Sequence, residues 1–374
     1  MSDNVLWIRD PQNLTVCDEY VYALWITLGD ISAKLRSQSA ELATIPAPVP
    51  SLAISALPAV DVGPALYALG AVVEDLEWLA QALSVYAQVT AEHENARALA
   101  WSEPAERALA LWVSMSTGFS TDEVWGEDPV GHAARALGEH IPRHHPITIR
   151  EHSDETVVTQ APRTWGERVS RIPDTEVPIR IERYPDGQGQ WRSEVYLAGT
   201  HEWSIGGTEE PFDMESNIAV VAGIPAASLV SVHKAMAQAG VKPGERVTFT
   251  GHSQGGIIAA RLAETGRYRT TGLLVVGSPT GTLSVKGDYP AIALRHSDDV
   301  VPRLGGSDRG SGFLTIERKS GSGVGNIAGA HGRTGYVDMA RDIDSSPARP
   351  NLPELPRAEG VAQVRTFSAV REIG

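Results

Sequence analysis

The run from Val247 to Leu262 constrains what this chain can fold into more than any other stretch. Val247-Thr248-Phe249-Thr250 has strand character and leads straight into Gly251-His252-Ser253-Gln254-Gly255-Gly256. Ile257-Ile258-Ala259-Ala260-Arg261-Leu262 then reads as a helix. A Gly-x-Ser-x-Gly turn between strand and helix is a sharp, strained corner that lifts a serine hydroxyl above the edge of a sheet. Gly251 and Gly255 are required on this reading, because a β-carbon at either place would collide with the strand or helix next door. The helix start also aims backbone N–H groups at negative charge beside Ser253. Ser253 is therefore the candidate nucleophile.

Strand and helix signals alternate around this turn. The pattern predicts strands over 147–150, 156–159, 177–181 and 194–199, then a helix from Ile224 to Ala239 closed by Gly240 in a left-handed cap. A strand over 246–250, a helix over 254–264, strands over 271–276 and 291–295, and a helix starting near Thr334 complete the pattern. Such alternation favours an α/β fold with a mostly parallel central sheet covered on both faces, the antiparallel strands ahead of it lying at its edge. Residues 121–344 are assigned to this domain. Ahead of it, apolar residues recur at three and four from Val16 to Leu42 and from Ala65 to Trp112, around a proline-rich connector at Ile45-Pro46-Ala47-Pro48-Val49-Pro50. Residues 1–120 are thus expected to be a helical hairpin or small bundle, with Trp78, Trp101 and Trp112 packed between helices or onto the second domain. The proline-rich tail, 345–374, is expected to wind over the surface.

Composition narrows the function classes. The chain's formal net charge is −14, spread along its length, which disfavours nucleic acid and anionic membrane surfaces as partners. One cysteine, Cys17, excludes an internal disulfide and a multi-thiolate zinc site. The scattered histidines suggest no metal, and the absence of a Gly-rich nucleotide loop implies no cofactor. No membrane span is read, because the apolar runs are broken before about 18 residues. The N-terminus shows no secretory signal, so the expected compartment is the cytoplasm, with signal-free export as the alternative.

A serine hydroxyl needs a base to take its proton and an acid to orient that base, and in a sheet of this type they follow in the order Ser, acid, His. Downstream of Ser253 lie only His296 and His331. His296 precedes both acid candidates and falls in or near a strand, so His331, after a Gly- and Ser-rich loop, is the expected base. Asp298 and Asp299 are adjacent and face different ways; the residues alone leave the choice between them open. One oxyanion donor is expected from the backbone N–H of Gln254. The other is expected from the turn after an earlier strand, where Gly199-Thr200 follows Tyr196-Leu197-Ala198. Residues 201–216, with Trp203 and Phe212 among glycines, form either a cover for an apolar pocket or an ordinary packed loop.

The elbow, then Val276-Gly277-Ser278-Pro279, then Asp299-Val300-Val301-Pro302-Arg303-Leu304, together resemble the class 3 lipases, the filamentous-fungal triacylglycerol lipase group, over about residues 195–335. The resemblance implies an α/β-hydrolase fold and carboxylic-ester hydrolysis through an acyl-enzyme. It maps the acid onto Asp299, just ahead of x-Val-Pro, with Asp298 as the alternative, and places an oxyanion Thr at Thr200. The expected substrate is a small-molecule or lipid ester. The chain departs from that group in its single cysteine and in its N-terminal segment, which makes a digestive triglyceride lipase doubtful. The N-terminal hairpin is also similar to small helical secretion-substrate modules of actinobacteria, without their Trp-x-Gly turn. The competing expectation is therefore an exported effector or partner-docking protein, whose helices direct delivery of a lipase-like toxin domain.

Overall fold

The computed structural model describes residues 7–9, 15–16, 33–34, 37, 146–152, 158–185, 189–202, 208–281, 283–299, 301–302, 311–322 and 326–372. In chain order the elements are β1 (Trp7–Arg9), β2 (Thr15–Val16), β3 (Ile147–Glu151), β4 (Val158–Gln160), α1 (Trp165–Ser170), β5 (Ile179–Pro185) and β6 (Trp191–Leu197). There follow α2 (Met214–Ala222), α3 (Ala227–Gln238), β7 (Arg246–His252), α4 (Gln254–Glu264), β8 (Arg269–Val276) and β9 (Ala291–His296). β10 (Leu314–Arg318), α5 (Ile327–His331), α6 (Arg333–Ser345), a 3-10 turn (Arg349–Asn351) and β11 (Val361–Arg371) complete the described set. The helical hairpin expected over 16–42 and 65–112 lies outside the described residues, apart from 33–34 and 37, which are helical, and Val16, which ends β2. Within the stretch 1–120 expected to be helical, β1 and β2 are strands that join the sheet beside β10. Cys17, Trp78, Trp101 and Trp112 lie outside them too.

These strands form one sheet in the order β2-β1-β10-β9-β8-β7-β6-β5-β11-β3, with β4 also paired to β11. The five strands from β6 to β10 run parallel. Every other ladder is antiparallel. The expectation of a mostly parallel sheet therefore needs correcting: the sheet is mixed, with a parallel centre. Antiparallel strands flank that centre because a hairpin, β5–β6, opens it, and because β1 and β11 join from far away in sequence.

The parallel strands are apolar on both faces, as a sheet covered by helices requires. Along β8, Leu273 and Val275 pack with Val232 and Met236 of α3 and Ile258 and Leu262 of α4. Leu274 and Val276 point the other way, into a cluster with Trp165 of α1 and Val337, Met339 and Ile343 of α6. Each buried side chain of this size contributes roughly 1.5–3 kcal/mol of transfer free energy. The described residues thus have an α/β layout, helices on both faces of the sheet. No helix among them is long and apolar enough to cross a membrane.

Three local expectations are revised. The helix expected from Ile224 starts at Ala227, because Pro225 drives the residue before it out of the helical region. Ahead of it stands α2, closed by Gly223 at φ 74°. Gly240, at φ 85°, does follow α3 in the left-handed conformation. The tail does not simply wind over the surface: residues 361–371 form the longest described strand, inserted between β5 and β3. Finally, His331 sits not in a loop but at the last position of α5, a short helix whose first turn is capped by the Asn326 side chain, which accepts from the Gly329 N–H.

Candidate functional site

β7 ends at the elbow. Ser253 has φ 53° and ψ −122°, and it is the one non-glycine residue with positive φ among the described residues. Such a conformation costs on the order of 1–3 kcal/mol and persists only where its surroundings hold it. Here the Ser253 N–H donates to Val276 O at 3.0 Å, and the Gly256 N–H donates back to Ser253 O at 3.0 Å. Both elbow glycines are set by close approach rather than by dihedral angle. A β-carbon on Gly251 would lie 2.3 Å from Gly255 O, and one on Gly255 would lie 2.4 Å from both Leu197 O and Ala198 O. α4 therefore starts hard against the end of β6, and the turn after β6 runs beside the serine.

Three side chains meet there in a line. His331 Nε2 lies 2.9 Å from Ser253 Oγ, and His331 Nδ1 lies 2.8 Å from Asp299 Oδ2. A carboxylate only accepts, so Nδ1 carries the proton and Nε2 presents its lone pair to the serine hydroxyl. Asp299 is buried, and it also accepts from the Tyr336 hydroxyl at 2.7 Å and from the Val301 N–H at 3.0 Å. Burial and the neighbouring Asp299 charge hold the Tyr336 phenol well above its ordinary pKa, so it stays a donor. Asp298 faces elsewhere: its carboxylate accepts from the N–H and the hydroxyl of Ser320, at 2.8 and 2.7 Å.

No protein-family model, curated protein or solved structure matches this chain.

Thr200, just past β6, is nearly buried, and its hydroxyl accepts from the Asn217 side-chain amide at 2.7 Å. That bond uses an acceptor position of the hydroxyl and leaves its hydrogen free to donate. Gln254 is the first residue of α4, where a backbone N–H has no intrahelical acceptor. Its side chain donates to Asp213 O at 3.1 Å. Asp213 caps α2 by accepting from the Ser216 N–H at 2.8 Å, and it is paired with Arg371 of β11 at 3.0 Å, both side chains buried. The Thr200 and Gln254 side chains are thus both held from the start of α2. Of the stretch 201–216, residues 203–207 lie outside the described set. Phe212 is fully buried and its carbonyl accepts from the N–H groups of His201 and Glu202.

Sequence reasoning singled out Ser253, Asp299, His331, Thr200, Gln254, Gly251 and Gly255, and the structure brings them to one end of the parallel strands. It did not find Tyr336, Asn217 or Arg371, whose roles are set by contacts between distant segments. His252, the residue before the serine in the elbow, places its Nε2 2.9 Å from His331 O. Among the described residues no group of three or more His, Cys, Asp or Glu could hold a metal ion.

Proposed function

We propose that this chain is a serine hydrolase of the α/β-hydrolase type that cleaves carboxylic esters, lipase- or esterase-like, through an acyl-enzyme. The observation that carries this reading is the unbroken line from Ser253 Oγ through His331 to a buried Asp299, at 2.9 and 2.8 Å, with the serine held at φ 53°. Structural histidine–carboxylate pairs are common in proteins. A serine in a strained corner at the third position of the line is not, because strain without a use is selected against.

In this reading Ser253 Oγ bonds to the ester carbonyl carbon as His331 Nε2 takes the hydroxyl proton. The carbonyl oxygen becomes an oxyanion, held by the Gln254 N–H and by the Thr200 N–H and hydroxyl. Collapse breaks the carbon–oxygen bond to the alcohol, which leaves with the proton from His331. A water then repeats the sequence on the acyl-Ser253 ester, giving the acid and restoring the serine. Asp299 stays ionised throughout and orients the ring, its charge facing the imidazolium that forms twice per turnover. The resemblance to class 3 lipases over residues 195–335 supports the ester assignment over amide chemistry.

The test is covalent labelling with a fluorophosphonate probe, with p-nitrophenyl esters of increasing chain length as substrates. Wild-type protein is expected to label on Ser253, and Ser253→Ala to lose labelling and about six orders of magnitude in turnover. An unlabelled wild type, or equal labelling of Ser253→Ala, sinks the reading.

A further inference from the structure

The helix that carries His331 is too short to hold its own shape. α5 has five residues, and a single helical turn is unstable unless something outside it fixes it. Its C-terminal carbonyls lack partners within the helix. Two of them are met by histidines arriving from the ends of two parallel strands. His296, last residue of β9, places Nδ1 2.7 Å from Ala330 O; His252, last residue of β7, places Nε2 2.9 Å from His331 O. A carbonyl oxygen only accepts, so each of those nitrogens carries its hydrogen and the two tautomers are fixed in opposite senses.

The rings also fix one another. His296 stacks on Tyr336 with centroids 4.0 Å apart and planes 17° apart, and Tyr336 donates to the same Asp299 that orients His331. The His252 ring lies 4.8 Å from that of His331 and 6.0 Å from that of Tyr336. His296 is buried, and its other nitrogen, Nε2, has no hydrogen-bond partner among the described residues. A buried ring nitrogen left orphaned costs about 1–3 kcal/mol. An apolar ring would avoid that cost, so what keeps a histidine here is the bond made by its Nδ1.

We propose that His252 and His296 are positioning residues for the base: each donates one ring N–H to a carbonyl at the end of α5, and together they set where the His331 imidazole stands relative to Ser253. The proposal rests on the serine-hydrolase reading above. Charge fits the role. Burial lowers the pKa of both rings, that of His252 to about 3 with the His331 ring adding to the fall. Both are neutral when His331 becomes an imidazolium, so the mount adds no second cation beside it. Lysine or arginine could donate to the same carbonyls but would repel the charged base.

The experiment replaces donor and shape separately. His252→Gln keeps an amide N–H near the Nε2 position and His296→Asn keeps one near Nδ1, whereas His252→Phe and His296→Phe keep the flat ring without the donor. Each is titrated with a fluorophosphonate to separate the maximal labelling rate from the half-saturating concentration. The phenylalanine variants are expected to lose about a hundredfold in maximal rate with half-saturation little changed, and the amide variants to recover to within about threefold of wild type. Phenylalanine variants that label like wild type, or amide variants as slow as the phenylalanine ones, overturn the bracket while leaving the hydrolase reading standing. An unlabelled wild type overturns both. Should the buried His296→Phe fail to give a cooperative melt, the half-buried His252 pair decides the question alone.

Discussion

Two clusters of buried ionisable groups lie on this one sheet, and they are built on opposite plans. Against α1, the carboxylates of Glu182 and Glu194 are fully buried and answered by cations. Arg168 reaches Glu194 at 3.1 Å, while Arg171 and Arg180 reach Glu182, each at 2.6 Å. Tyr184 and Tyr196 add hydroxyl donors to Glu182. Each carboxylate there has at least one guanidinium against it. At the other cluster, Asp299 is as deeply buried but receives only neutral donors besides His331, and no lysine or arginine ion pair meets it among the described residues. A carboxylate compensated by dipoles alone is poised for a positive charge that arrives later. The first cluster therefore reads as a structural clasp; under the proposed function, the second is the working site.

That contrast can be broken. The largest effect is expected from Asp299→Asn, which keeps the shape but favours the wrong His331 tautomer. Turnover and fluorophosphonate labelling should fall by about 10⁴-fold with the melting temperature nearly unchanged. Arg168→Met should do the reverse. It strands Glu194, whose pKa burial already raises, and should cost about 3–5 kcal/mol in chemical denaturation while the folded protein labels at the wild-type rate. A labelling defect there would mean the two clusters are coupled. Tyr336→Phe removes one donor to Asp299 and the acceptor of the His296 backbone N–H, at 2.7 and 3.0 Å. About 1–3 kcal/mol of stability should be lost with a moderate fall in rate, both measurable on one preparation. The smallest effect belongs to Asp298→Asn. Its bonds to Ser320 are partly exposed, so about 1 kcal/mol of stability and no loss of turnover are expected, and a large loss of turnover would reassign the acid.

The elbow was legible because its residues are contiguous: strand, strained corner and helix lie within sixteen positions, and Gly251 answers the backbone of Gly255 within the same motif. Thr200 and the Ser, Asp, His order could be read from strand ends. Asp298 and Asp299 could not be separated by residue pattern, since neighbours on a turn differ only in what the fold sets opposite them; Ser320 claims one and His331 the other. Tyr336, Asn217 and Arg371 were out of reach for the same reason, their partners standing 37, 17 and 158 residues away. β11 hid behind its composition. Gln363, Arg365, Thr366 and Ser368 read as surface, and only the buried Phe367 and Ala369 keep the alternation of a half-covered strand, with Ala362 out of phase in a separate small cluster. The neutral histidines behind His331 were legible as residues but not as a pair, because their common target is two backbone carbonyls.

β11 has a consequence for how the molecule is made. Phe367 pairs with Glu151 on one side and Ile179 on the other, so a gap between β3 and β5 stays open on the ribosome until some two hundred further residues have been synthesised. Arg371, which is paired with the Asp213 whose carbonyl accepts from the Gln254 side chain, arrives with the same strand. Pairing across such long separations is slow, and unpaired edges recruit other chains. Translation order thus withholds the finished site from a nascent chain, and the vulnerable interval in this protein's life is the one before its last described strand is threaded home.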